Sequence, residues 1–198
     1  MRVRSLHRII GIILLVPFFG WALTGLVFFF KPGYAGAYET LSPKTYALDG
    51  AVPVTPEPGW SEFRYLRTVL GDHLIARTDS GWVNLDPVSK QPRTKPTEAE
   101  LRRLLKDAFS TNPQRYGEVV SVSGETIKTS TDVEVALDWN TLSLQQKGTD
   151  TDRIDLLYRI HYLQWTGVKR IDKVVGLVGP VLVMLLTTLG ASLAVKRS

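Results

Sequence analysis

Three histidines, His7, His73 and His161, are the side chains best suited to chemistry in this chain. Imidazole is a common axial ligand of haem iron, and membrane helices are a usual platform for it. His7 sits one residue inside a short basic segment, just before a long uncharged run. His161 lies on the apolar stripe of a helical segment that precedes a second such run. His73 opens a strand-like segment between them. Each also has a purely structural reading. His7 would sit at an interface beside headgroup phosphates, His161 would pack against Tyr158 or Trp165, and His73 would be an ordinary strand residue. No P-loop, G-x-G-x-x-G, H-E-x-x-H or G-x-S-x-G pattern occurs. The chain has no cysteine, which excludes disulfides, zinc–thiolate sites, iron–sulfur clusters and a cysteine nucleophile. Asp72, Asp79, Asp86, Asp132 and Asp138 are scattered and read as turn or strand-edge residues, while Asp150 and Asp152 suit a helix N-terminus.

The elements that would hold these side chains are unequal in kind. Ile9–Phe30 and Val174–Val195 are each 22 residues without a charge. As helices each would be roughly 33 Å long, enough to cross a hydrocarbon core of about 30 Å. The whole chain carries 24 Lys+Arg against 19 Asp+Glu, yet the excess of five lies in Arg2, Arg4, Arg8, Lys196 and Arg197 at the two ends. The intervening segment is neutral, so the basic balance reads as membrane topology and not as a nucleic-acid surface. Basic ends beside the spans predict both termini in the cytoplasm and the middle outside it. Lys169, Arg170 and Lys173 flank the second span on the outer side, following a long loop that translocates largely regardless of charge. The rival reading is a cleaved signal peptide, with Arg2–Arg8 as its basic region and Ala35-Gly36-Ala37 as the cleavage site. The apolar run is too long for the usual core of about 7–15 residues.

Between the runs, residues 42–60 hold Pro43, Pro53, Pro56 and Pro58 and read as an extended linker. Glu62–Leu70 suits a short helix or a strand. His73–Thr78 and Gly81–Leu85 predict a hairpin across Asp79-Ser80-Gly81. Thr97–Ser110 predicts a helix, capped by Thr97, with Glu98 and Glu100 in its first turn and Leu101, Leu104, Leu105 and Ala108 at helical spacing. Glu118–Val122, Thr126–Thr129 and Val133–Trp139 read as strands. Asp152–Leu163 predicts an amphipathic helix striped by Ile154, Leu157, Tyr158 and His161, lying on the outer membrane surface or packed under the domain. In the first run, Gly20 and Thr24, with Gly25, form a small face for close helix approach. In the second, Thr187 and Ala191, with Gly190, do the same, while Gly176, Gly179 and Pro180 break up its outer part. These faces would pack the two spans on each other or pair two copies of the chain.

His7 and His161 fall at opposite ends of the predicted spans, so one iron cannot take both. Haem bound through two histidines would need a second chain, either another copy or a partner subunit. Two haems stacked across the membrane would form a route for electrons to the periplasm.

Leu6-His7-Arg8-Ile9-Ile10-Gly11, followed by Trp21-Ala22-Leu23-Thr24-Gly25, resembles the first membrane helix of the bacterial PepSY-associated transmembrane family. His161-Tyr162, Thr166-Gly167 and the apolar helix with Gly176 resemble that family's last helix. The segment from His73 through Trp82 to Pro87, with the helix from Thr97, is similar to a PepSY-type domain. Larger relatives with four spans include inner-membrane reductases that pass electrons through haem to ferric siderophores. The resemblance therefore implies haem b at His7 and His161 and a role in iron uptake. This chain departs from those relatives in having two spans and no nicotinamide or flavin site, so it would be at most a subunit of a membrane reductase. PepSY domains elsewhere occur in peptidase propeptides and are proposed to bind or restrain proteins.

The expected architecture is a membrane α+β protein: two transmembrane helices flanking a small periplasmic PepSY-like α+β domain in the bacterial inner membrane. Residues 1–8 form a cytoplasmic tail, 9–30 the first span and 31–60 a periplasmic linker. Residues 61–151 form the domain, 152–173 the amphipathic helix and connector, 174–195 the second span and 196–198 the other tail. Two functions stand. One is a haem-binding electron-transfer subunit for periplasmic reduction of ferric chelates, paired as a homodimer or with a membrane partner. The other is a membrane-tethered module, without cofactor, whose domain binds or regulates a protein.

Overall fold

The computed structural model describes residues 3–50 and 52–195. Arg2, Lys196 and Arg197, on which the expected orientation partly rests, lie outside the described residues, as does the tail 196–198. In chain order the first elements are α1 (Val3–Phe30), α2 (Tyr34–Ala37), β1 (Glu62–Thr68), β2 (Gly71–Thr78), β3 (Gly81–Leu85) and α3 (Glu98–Phe109). There follow α4 (Pro113–Tyr116), β4 (Val119–Ser123), β5 (Thr126–Thr129), β6 (Glu134–Asp138), β7 (Ser143–Lys147), α5 (Thr149–His161) and α6 (Lys169–Val195). They fall into two compact units: the chain up to Ala35 together with the chain from Asp150, and Gly36–Thr149.

The first unit is helical. α1 and α6 are long and apolar enough to cross a membrane, with mean hydropathy of 2.3 and 2.2 over their most apolar stretches. Only 11% and 6% of those stretches are buried within the protein, so their apolar surface is not used as a core. Leu15, Phe19, Phe29 and Leu177 are each more than two-thirds exposed. A water-soluble protein rarely leaves so large an apolar surface uncovered.

Two sequence expectations change here. α6 runs unbroken through Gly176, Gly179 and Pro180, and starts at Lys169 instead of 174. Its start is set by a polar clasp, in which Thr166 donates from its N–H (3.0 Å) and hydroxyl (2.8 Å) to the Asp172 carboxylate. The glycines provide close approach instead of a break. A Cβ on Gly179 would stand 2.7 Å from Leu163 Cδ1, and one on Gly176 would stand 3.4 Å from the Tyr162 carbonyl oxygen. The apolar side of α5 packs on the second half of α1. Tyr158 stacks on Phe28 with ring centroids 4.7 Å apart, and Ile160 lies against Gly20.

The second unit is α+β. Its strands form two antiparallel sheets, ordered β1-β2-β3 and β4-β5-β6-β7. α3 forms because its local signals agree. The Thr97 hydroxyl accepts from the Glu100 N–H and the Glu100 carboxylate accepts from the Thr97 N–H, closing a capping box. Its stripe of Leu101, Leu104, Leu105 and Ala108 is buried with Ile75, Ile127, Val135, Leu137 and Trp139 from both sheets. Each such leucine contributes about 1.5–3 kcal/mol relative to an exposed one.

The unit begins at Gly36, well before the expected boundary at 61. The proline-bearing segment is no free linker. Leu41 is buried in the main core, and the Tyr46 N–H donates to the Arg67 carbonyl at 2.9 Å, adding a bridge beside β1. Val54 and Trp60 cover Leu74, Ala76 and Leu85 on the other face of the three-stranded sheet. Glu62–Thr68 is a strand. β7 has no counterpart among the expected strands, because Ser-Leu-Gln-Gln-Lys carries one buried apolar residue, Leu144, and little strand propensity. It is held by tertiary contacts: the Gln146 amide donates to the carbonyls of Gly36, Ala37 and Glu39 at 3.1–3.2 Å.

Candidate functional site

The three histidines meet two kinds of surroundings. In the helical unit, His7 Nδ1 lies 3.2 Å from the Leu186 carbonyl oxygen of α6. Its ring rests on Gly190, where a Cβ would come within 3.2 Å of Cε1. A carbonyl only accepts, so Nδ1 is the donor, and in the neutral ring Nε2 keeps its lone pair. His161 Nδ1 lies 2.8 Å from the Thr24 hydroxyl. That hydroxyl donates to the Gly20 carbonyl at 2.7 Å, so it accepts from His161 Nδ1, and in the neutral ring Nε2 is again the nitrogen with the lone pair. Trp21 Nε1 donates to the His161 carbonyl at 2.6 Å and fixes the end of α5 on α1. The His161 ring also meets Phe28 and Tyr162 edge-on, at 5.1 and 5.5 Å. Among the described residues, neither Nε2 makes a hydrogen bond, and both rings are partly exposed.

The helix-packing residues expected from their spacing divide. Gly20 accommodates Ile160, Thr24 is buried against His161, and Gly190 seats His7. A Cβ on Gly25 would meet nothing within 4 Å. Thr187 and Ala191 face outward, the Thr187 hydroxyl bonding back to the Val183 carbonyl. Thr187 and Ala191 therefore take no part in packing α6 on α1. Gly11, Gly176 and Gly179 supply close contacts that spacing alone does not single out.

His73, expected to be an ordinary strand residue, is the fully buried one. Its Nε2 lies 2.9 Å from the Thr68 hydroxyl and its Nδ1 3.3 Å from Asn84 Oδ1. The Arg93 guanidinium sits 3.1 Å from Nδ1 and is itself anchored on the Asp72 carbonyl at 2.6 Å. Asn84 donates onward to the Trp139 carbonyl, Trp139 Nε1 donates to the Arg93 carbonyl, and the Trp139 ring meets His73 edge-on at 5.5 Å. Burial first, and then the Arg93 charge, push the His73 pKa down to about 4. This imidazole is neutral, with both nitrogens occupied, and serves as a polar tie between the sheets. The residues that form the tie come from positions 68, 84, 93 and 139, a set with no sequence signature.

No three of His, Asp or Glu come together among the described residues. Asp72 pairs with Arg67 at 2.5 Å, and Asp86 and Asp138 accept from turn backbone. Haem would be held by imidazole nitrogens, and here the fit is partial. The Nδ1-anchored state of His7 and His161 suits an axial ligand through Nε2, since a ligating imidazole ordinarily donates its other N–H to a neighbouring oxygen. Pairing within one chain does not fit. His7 and Thr24, the partner of His161, are separated along α1 by about 25 Å at 1.5 Å per residue. One chain could therefore provide at most one of these two histidines to any one iron.

The chain matches no known protein family, no curated protein and no solved structure.

Proposed function

We propose that this chain is an integral protein of the bacterial inner membrane, with both ends in the cytoplasm and residues 36–149 in the periplasm, and that two copies hold haem b for electron transfer to a periplasmic acceptor. The largely exposed apolar surfaces of α1 and α6 support the membrane placement. The observation that carries the haem reading is the matched state of His7 and His161, each held through Nδ1 with Nε2 left over. Haem would supply a one-electron carrier. His7 and His161 would hold it, each paired with the same residue of a second copy, and the Leu186 carbonyl and the Thr24 hydroxyl would orient the rings. The PepSY-associated helices that the sequence resembles point to ferric chelates as the acceptor class.

An absorption spectrum of the detergent-purified protein, oxidised and then reduced with dithionite, tests this. A b-type spectrum that is diminished in His7→Ala and in His161→Ala is the expected result. A colourless protein after expression with ample haem overturns it. The reading then favoured is a tethered binding module. It has its own support in an open cleft of about 340 Å³ between α3 and β4, where Arg102 and Lys106 stand over the apolar Phe109, Pro113 and Val119.

A further inference from the structure

We infer that one end of the three-stranded sheet is an anion-binding site, built from Arg64 and Arg77 on the ring of Trp82 and selective for phosphate or carboxylate groups. The register places the three side chains together. Arg77 on β2 is directly opposite Trp82 on β3, and Arg64 on β1 is opposite Ile75, diagonal to Arg77 on the same face of the sheet. The Arg64 guanidinium carbon lies 4.6 Å from the Trp82 ring centroid and that of Arg77 lies 5.9 Å from it. Trp82 is itself half-buried against the main core, which makes it a fixed platform.

Both arginines are exposed. Neither guanidinium makes an ion pair or a side-chain hydrogen bond among the described residues, even though Glu62 is directly across from Arg77. The other arginine of β1 behaves differently, since Arg67 is saturated by Asp49 and Asp72. Stacking orients a guanidinium without using its N–H donors, so the planar forks of Arg64 and Arg77 remain available for bidentate contacts. Two like charges held on one ring by rigid strands repel each other until an anion bridges them. An oxyanion with several oxygens meets both needs. A soluble phosphate or polycarboxylate and a phospholipid headgroup share this chemistry.

The test uses the full chain in phosphatidylcholine nanodiscs at low ionic strength, titrated calorimetrically with inorganic phosphate, with citrate and with short-chain phosphatidylglycerol below its micelle concentration. Saturable binding is expected, weakened at least about tenfold by Arg64→Gln or Arg77→Gln, the usual consequence of losing a charge-assisted contact. Arg77→Lys should also weaken it, because an ammonium cannot offer the fork. Displacement of the lipid by phosphate or citrate assigns the site to soluble anions. Lipid binding that soluble anions do not displace assigns it to a headgroup. In the unsubstituted protein, bound anion should protect Arg64 and Arg77 from phenylglyoxal. Absence of saturable binding by all three probes, unchanged affinity in the Arg64→Gln/Arg77→Gln double variant, or lack of protection overturns the inference.

Discussion

His73 in the α+β unit has no exposed surface and gives both ring nitrogens to neighbours, whereas His7 and His161 in the helical unit keep partly exposed rings and commit only Nδ1. The same side chain thus serves two ends. Where packing excludes water, an imidazole must be neutral and fully bonded, and its chemistry becomes a matter of stability. Where a ring lies along a helix pair with one nitrogen tied to an oxygen, its orientation is fixed and a lone pair remains for a ligand. The units also differ in how they use apolar surface. Gly36–Thr149 buries most of its leucines in its core, while α1 and α6, Ile10 and Leu14 aside, leave most of their apolar surface uncovered.

The largest effect that could break this contrast is expected from Trp139→Ala. It removes the ring that faces His73 and the N–H that holds the Arg93 carbonyl, and truncating a buried tryptophan costs about 3–5 kcal/mol. Urea unfolding of the full chain in detergent, followed by near-ultraviolet circular dichroism, measures it. A loss under about 1 kcal/mol would show that the tie around His73 does not hold the sheets.

The pH dependence comes next. The His73 pKa is lowered from 6.5 to about 4 on folding, so the unfolded chain takes up the proton first. The associated stability is fully present above pH 6.5, falls as pH drops from 6.5 towards 4, and levels off below that. The full swing is about 3 kcal/mol. His73→Gln should flatten this part of the profile, and an unchanged slope would place the titrating group elsewhere.

In the helical unit, Gly179→Ala should cost about 1–3 kcal/mol, because its methyl would press on the buried Leu163. Thermal melting of the helical signal in detergent reads this, and Gly25→Ala, with open space around it, is the matched control that should not destabilise. The smallest effect is expected from Trp21→Phe, about 1 kcal/mol for the hydrogen bond to the His161 carbonyl. On the proposed haem reading, its sharper readout is the absorption spectrum. If Trp21 and Thr24 orient His161, Trp21→Phe should perturb the spectrum while leaving the α+β unit's urea transition in place.

Much of the fold is legible in the sequence because its signals are local. Thr97 with Glu100 and the leucines after it carry the boundaries and buried face of α3, and the polar turn at Asp79-Ser80 carries the β2–β3 hairpin. β7 and the attached segment 36–48 are not legible. Gln146 and Tyr46 are ordinary polar residues until their partners, Gly36, Ala37, Glu39 and Arg67, are brought beside them. The candidate site is half legible. His7 and His161 stand out beside uncharged runs, but Gly190, Leu186 and Thr24 as their seats follow only from how the helices face each other.

Two long apolar helices flanking a neutral α+β segment follow from the amino-acid order alone, because the absence of charge over 22 residues and the agreement of cap with periodicity require no distant partner. Which histidine is sealed, and which keep a free nitrogen, is settled only when the chain folds. Burial and hydrogen bonding belong to neighbours in space, and those of His73 and His161 come from up to 66 and 140 positions away in the chain.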